Sequence, residues 1–147
     1  MLKKLGFVGV PQSFLDHAET IKHENYKTNT PKAFQKHSPE SHDNDLFLQA
    51  VSLVVGVHHK LLDLVYFSVS KGAEPHTDML DPEVFTDWTY VIPIILPEGD
   101  NYIYAEEQSV IAKLFEVYEF NHTKTHGMTV ANEDDGCVLI MIAVKKQ

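Results

Sequence analysis

The 147-residue chain contains no arginine; its twelve basic residues are all lysine, set against twenty-one aspartates and glutamates for a net charge of −9. That balance repels nucleic-acid phosphate, and no basic run exceeds a pair such as Lys145-Lys146, so DNA or RNA binding is not expected. The absence also bears on ligand choice, because planar two-point recognition of a carboxylate is arginine's speciality. Cysteine is almost missing as well. Cys137 alone excludes an internal disulfide and suits a reducing compartment, which leaves the sequon Asn121-His122-Thr123 without a secretory context. No apolar run reaches the roughly 18 residues of a membrane span. After Lys3 and Lys4 the chain meets Gly9-Val10-Pro11 before a secretory apolar segment becomes long enough. A cytoplasmic protein that neither spans nor binds a membrane is expected.

What is present is the make-up of an ordinary globule, 44% hydrophobic and 22% charged. A chain of this length reads as one domain, 1–147, able to bury about two thirds of its unfolded surface. No metal is needed as a staple, and no internal repeat is visible. Oligomeric state is not legible.

Residues 5–10 read as a first strand ended by Pro11, followed by a short helix with Ser13 and Asp16 as a capping box and Phe14, Leu15, Ala18 and Ile21 at helical spacing. Residues 23–44 are polar, hold Pro31 and Pro39, and read as a long loop. Residues 45–62 form the strongest helical pattern, with Leu46, Phe47, Ala50, Leu53, Val54, Val57 and Leu61 as its apolar stripe. His58 and His59 sit near its end, about 100° apart, where the helix dipole favours histidine without any ligand role. The chain then turns to strands. An acidic loop over 79–87 precedes a near-continuous apolar strand, 88–96, in which Pro93 demands an edge or a bulge. Further strands are expected at 102–105, 110–120, 128–131 and 137–144, the last pair joined through Asp135-Gly136. A helical part at about 11–62 followed by strands from about 63 to 147 makes the chain mainly β (α+β), a barrel or a sandwich.

The chemistry centres on the run from Leu64 to Asp78, in which a β-branched and aromatic strand and Gly72 lead into His76-Thr77-Asp78. A strand repeats every two residues, so His76 and Asp78 share a face. A second histidine from a neighbouring strand would complete two imidazoles and one carboxylate, the set that suits non-haem Fe(II) with open coordination positions. His126 is the nominated partner, with His122 as its competitor. The bare His-x-Asp pattern arises by chance about 0.6 times in a chain of this composition, so order and spacing must carry the reading.

That order, strand, Gly, His-x-Asp, several strands, Phe120, short loop, His126-Gly127, resembles the Fe(II)/2-oxoglutarate-dependent oxygenases, in particular the prolyl-hydroxylase-like branch, over about 46–144. The resemblance implies a double-stranded β-helix (a jelly-roll, cupin-like barrel) with the N-terminal helices packed outside. It implies His76, Asp78 and His126 as catalytic metal ligands, His126 being preferred because relatives place the distal histidine after a strand-ending Phe and before a small residue. It implies Fe(II) and 2-oxoglutarate as cofactors for hydroxylation of a small-molecule or peptide substrate. The chain departs from the family at the co-substrate anchor. Relatives carry Arg or Lys about ten residues past the distal histidine, where this sequence reads Gly136-Cys137-Val138-Leu139; the alternative lysine position after His-x-Asp falls at Thr89, Tyr90 and Val91. Lys113, flanked by apolar residues in the expected strand 110–120, is the candidate replacement, with Thr89, Tyr90 and Tyr104 as hydroxyl alternatives. A cupin-like metalloenzyme that uses no 2-oxo acid, or a binding module with a degenerate metal site, are the competing functions.

Overall fold

The computed structural model describes residues 2–26, 35–37, 43–133 and 135–147. Two antiparallel sheets and two α-helices make up its regular structure. In chain order the elements are β1 (Lys3–Phe7), α1 (Gln12–Tyr26), β2 (Gln35–His37), α2 (Asn44–Val55), β3 (Leu62–Ser70), β4 (Ala73–His76), β5 (Phe85–Ile95), β6 (Tyr102–Ala105), β7 (Gln108–Ile111), β8 (Glu116–Asn121), β9 (His126–Thr129) and β10 (Cys137–Lys145). The larger sheet has the order β1-β8-β5-β10-β3-β2 and the smaller one β4-β9-β6-β7. Among the described residues no helix is long and apolar enough to cross a membrane.

Period-two alternation divides the larger sheet into two faces. Phe67 and Val69 of β3, Tyr90, Ile92 and Ile94 of β5, Val117 of β8 and Val138, Ile140 and Ile142 of β10 pack with Phe14 and Ala18 of α1 and Phe47 and Val51 of α2. The ring of Phe14 lies 5.0 Å from Phe47 and 5.3 Å from Phe67, centroid to centroid, which ties both helices to the sheet. The opposite face, with Val91, Tyr118, Phe120 and Cys137, meets Ile103, Ala105 and Met128 of the smaller sheet. Strands buried on both faces carry no polar alternation, which is why β5 and β10 read as unbroken apolar runs.

Several boundaries differ from the sequence reading. The helix expected over 45–62 stops at Val55, because Gly56 takes a left-handed conformation (φ 76°) and closes it. Its buried stripe is Phe47 and Val51, whereas Leu46 and Leu53 face solvent, Leu53 at 89% exposure. His58 caps the short 3₁₀ turn His59–Leu61 by accepting the Lys60 N–H and stacks on His59, a structural role. Ser13 is the second residue of α1, and its hydroxyl donates to Asp43 at the head of α2. Within the long loop expected over 23–44, α1 extends to Tyr26, β2 pairs with β3 and Asn44 opens α2; residues 27–34 and 38–42 lie outside the described residues. The strand expected over 110–120 is two strands separated by a reversal in which Phe115 has φ 68°. Tyr118 holds that reversal, its hydroxyl accepting the Lys113 N–H (2.8 Å) and donating to Glu116 (2.7 Å). Pro93 does occupy a bulge. Its ladder to β8 has already ended at Val91, and a register shift separates its Leu139 pairing from the next one.

Candidate metal centre

The smaller sheet pairs β4 with β9 so that His76 stands directly opposite His126. Between Ala73 and His76 the ladder slips by one residue, at a segment containing Pro75, which has no N–H to donate. The bulge puts Ala73 and His76, three residues apart, opposite Met128 and His126, two residues apart, and so turns both histidines to the inner face. Asp78 lies just beyond the strand end. Its N–H donates to the His122 carbonyl at 2.9 Å, which fixes the carboxylate beside the two rings.

Donor chemistry then narrows what the cluster can do. His76 Nδ1 lies 2.6 Å from the Glu74 carbonyl and His126 Nδ1 lies 2.8 Å from the Lys124 carbonyl. A carbonyl only accepts, so both Nδ1 atoms carry the hydrogen and both Nε2 atoms point at Asp78, at 3.5 Å from Oδ1 and 3.1 Å from Oδ2 respectively. In the neutral rings this aims lone pairs at carboxylate oxygens. Such a contact is favourable only with a cation in it, a proton or a metal ion. One donor atom from each residue lies within 4.8 Å of the others, so His76, Asp78 and His126 could hold one metal ion together. The backbone-bound Nδ1–H groups are the outer partners that orient metal-ligating imidazoles elsewhere.

The cluster opens onto a narrow cleft between the sheets with a cavity volume of about 50 Å³. Phe120 packs against His126 with ring centroids 4.5 Å apart. Val91, Ile103, Met128, Leu139 and Met141 supply the apolar lining, and Tyr66, Ser68 and Ser70 supply hydroxyls. The Tyr66 phenol is pushed up to about 12, by burial first and by the Asp78 charge second, so it remains a donor at neutral pH.

His122, the competing ligand, is buried behind the cluster. Its Nδ1 pairs with Thr89 Oγ1 at 2.9 Å and its N–H donates to the Asp87 carbonyl at 2.9 Å. His122 thus ties both ends of the acidic loop, Asp78 and Asp87, to β8 while its own ring is used by Thr89. Burial pulls its pKa below the usual value.

The four expected co-substrate contacts do not meet in the cleft. Lys113 is exposed in the β7–β8 reversal, because the strand that would have turned it inward is broken there. Tyr90 points to the helix face, where burial and Glu119 raise its pKa. Tyr104 lies across the outer side of β9 and donates to the Ala73 carbonyl at 3.1 Å. Thr89 is buried and engaged by His122. The hydroxyls that do line the cleft sit at every second position of β3, with Phe67 and Val69 between them facing the helices. That period-two signal was present in the sequence.

No protein-family model matches the sequence, and no curated protein matches it. Among solved structures, the fold is similar to that of a Pseudomonas putida prolyl-4-hydroxylase, with a TM-score of 0.60 over 99% of this chain and 93% of that one, at 9% sequence identity. At that identity the likeness is one of fold.

Proposed function

We propose that the chain is a non-haem Fe(II)-dependent oxygenase on a double-stranded β-helix, with His76, Asp78 and His126 as the iron ligands and a 2-oxo acid as co-substrate. The observation that carries this reading is the pair of Nε2 atoms, set by backbone-held Nδ1–H groups, converging with a carboxylate at the mouth of an apolar cleft. The fold shared with a prolyl-4-hydroxylase supports it. Two imidazoles and one carboxylate leave open coordination positions, and the chemistry an iron there supplies is dioxygen activation. In the overall balance, R–CO–COO⁻, R′–H and O₂ give R–COO⁻, CO₂ and R′–OH, with R′–H a small molecule or a peptide. The chain's own contribution is positioning. Asp78 is anchored through its N–H, Phe120 and the aliphatic walls limit water, and Tyr66 keeps its proton for donation.

Oxygen uptake and CO₂ release from a 2-oxo acid, dependent on added Fe(II) and abolished in Asp78→Ala, is the expected result. Metal-dependent turnover without a 2-oxo acid would mark a cupin-like metalloenzyme, and failure to retain iron would mark a binding module.

A further inference from the structure

Among the described residues, the lining of the cleft beside the proposed iron ligands is neutral apart from Asp78 and the histidines. Its β3 wall presents the hydroxyls of Tyr66, Ser68 and Ser70, and the facing surface is aliphatic and thioether, including Leu139 and Met128. Among the described residues no lysine lines it, and the chain has no arginine to bring. Lys71 lines a separate groove with Glu74 and Glu133. At the deep end, Ser70 Oγ lies 3.4 Å from the thiol of Cys137, itself fully buried, so that wall too ends in neutral groups.

Charge counting then discriminates between co-substrates. A divalent ion with the Asp78 carboxylate leaves one positive charge, which one carboxylate closes to neutrality. A second carboxylate leaves a net negative charge in a cleft whose remaining polar groups are hydroxyls, on a chain that already carries −9. A buried carboxylate without a cation is disfavoured, and hydroxyl hydrogen bonds offset only part of its lost hydration.

We propose that the 2-oxo acid taken by this centre carries a single carboxylate and a neutral aliphatic or hydroxylated tail, and that the dicarboxylate 2-oxoglutarate is a poor ligand. The inference rests on His76, Asp78 and His126 being the iron ligands. It replaces the co-substrate that family resemblance implies with the one the cleft chemistry fits.

The test uses the full chain, anaerobic and loaded with Fe(II), whose iron content is first measured with His126→Ala as the negative control. It is then titrated with 2-oxopentanoate and with 2-oxoglutarate, which differ by a terminal methyl against a carboxylate. The visible charge-transfer band of a 2-oxo acid chelated to Fe(II) gives the dissociation constants. The expected result is at least tenfold tighter binding of 2-oxopentanoate. Equal or tighter binding of 2-oxoglutarate overturns the proposal. A preference for 2-oxoglutarate overturns this inference alone; iron retained with neither acid bound also removes the 2-oxo acid from the proposed function, and iron not retained overturns the oxygenase reading.

Discussion

Gly127 follows a proposed metal ligand, and replacing it with alanine should disturb both the fold and the metal centre. Gly127 is the direct cross-strand partner of Tyr104, whose ring crosses β9 at this residue to reach the Ala73 carbonyl on β4. A Cβ on residue 127 would stand 2.2 Å from the Tyr104 hydroxyl oxygen, 2.5 Å from its Cζ and 2.6 Å from the Ala73 carbonyl oxygen. The ring could swing toward solvent, losing a hydrogen bond worth about 1 kcal/mol. The Ala73 oxygen is backbone and has no such escape, so β4 and β9 must part, at about 1–3 kcal/mol for overpacking. The sum, about 2–4 kcal/mol, corresponds to a fall of roughly 5–15 °C in Tm for a domain of this size. Because the same ladder holds His76 opposite His126, iron affinity should fall by about 10–100-fold, as for other losses of ligand support. Thermal unfolding of the metal-free protein and an anaerobic iron titration measure the two effects. The double variant with Tyr104→Ala should recover only the part due to the ring. A Gly127→Ala protein within about 0.5 kcal/mol of wild type and with unchanged iron affinity would refute this account of why a glycine stands there.

Three further outcomes are expected. His126→Ala should lose iron with little change in fold, while His122→Ala should keep one iron per chain at lower affinity, because it removes the buried ring, paired with Thr89, that holds the residue 122 backbone against the Asp78 N–H; iron analysis separates them, and the reverse pattern would move the distal ligand to His122. Leu53→Asp should change urea stability by less than about 0.5 kcal/mol, since Leu53 is 89% exposed, whereas Val51→Asp, at 0%, should cost about 4 kcal/mol or prevent folding. Burial pushes the Cys137 thiol up to about 11, so the native protein should resist thiol reagents at pH 8. In the unfolded chain the thiol ionises from about 8.5, the native state binds more protons above that, and this thiol should lower stability by about 2–3 kcal/mol as pH rises from there through about 11, a contribution that Cys137→Ala removes while that of the buried tyrosines remains.

The legible parts of the fold were those set by local chemistry. Gly72 and Pro93 each marked a turn or bulge that the structure contains, because backbone freedom or a missing N–H acts wherever the residue sits, whereas Asp135-Gly136, a hairpin signal, turns the chain between β9 and β10, which lie in different sheets and do not pair. The reversal at 112–115 was not legible. It carries no glycine, proline or asparagine and is held by the Tyr118 hydroxyl, a contact that forms only once β8 is in place. The α2 stripe was misread at Leu46 and Leu53 because the side of the helix that packs on the core centres on Phe47 and Val51, with Leu48, Ala50 and Val54 at its margins. At the site, His76, Asp78 and His126 come together, the first two as strand spacing implied and the third as the family resemblance implied. Between the two anchor candidates on β5 the sequence could not choose, for a physical reason. In strands apolar on both faces, such as β5, the sequence does not say which face looks inward, so Thr89 and Tyr90 could not be told apart until the helices chose a side.

That division of faces also explains how this chain could have a metal centre without depending on a metal to fold. The helix-covered face of the larger sheet buries Phe14, Phe47, Phe67, Ile92, Ile140 and Ile142 almost completely, and none of them lines the cleft. Hydrophobic burial of this kind scales with area and is indifferent to what occupies the other face. The ligands sit instead on β4 and β9, two four-residue strands joined through a bulge, where little apolar area is at stake. Stability and chemistry therefore draw on different residues, and cleft-side positions such as Ser68, Ser70 and Leu139 are free to set which acid the centre accepts without unpacking the core that holds it.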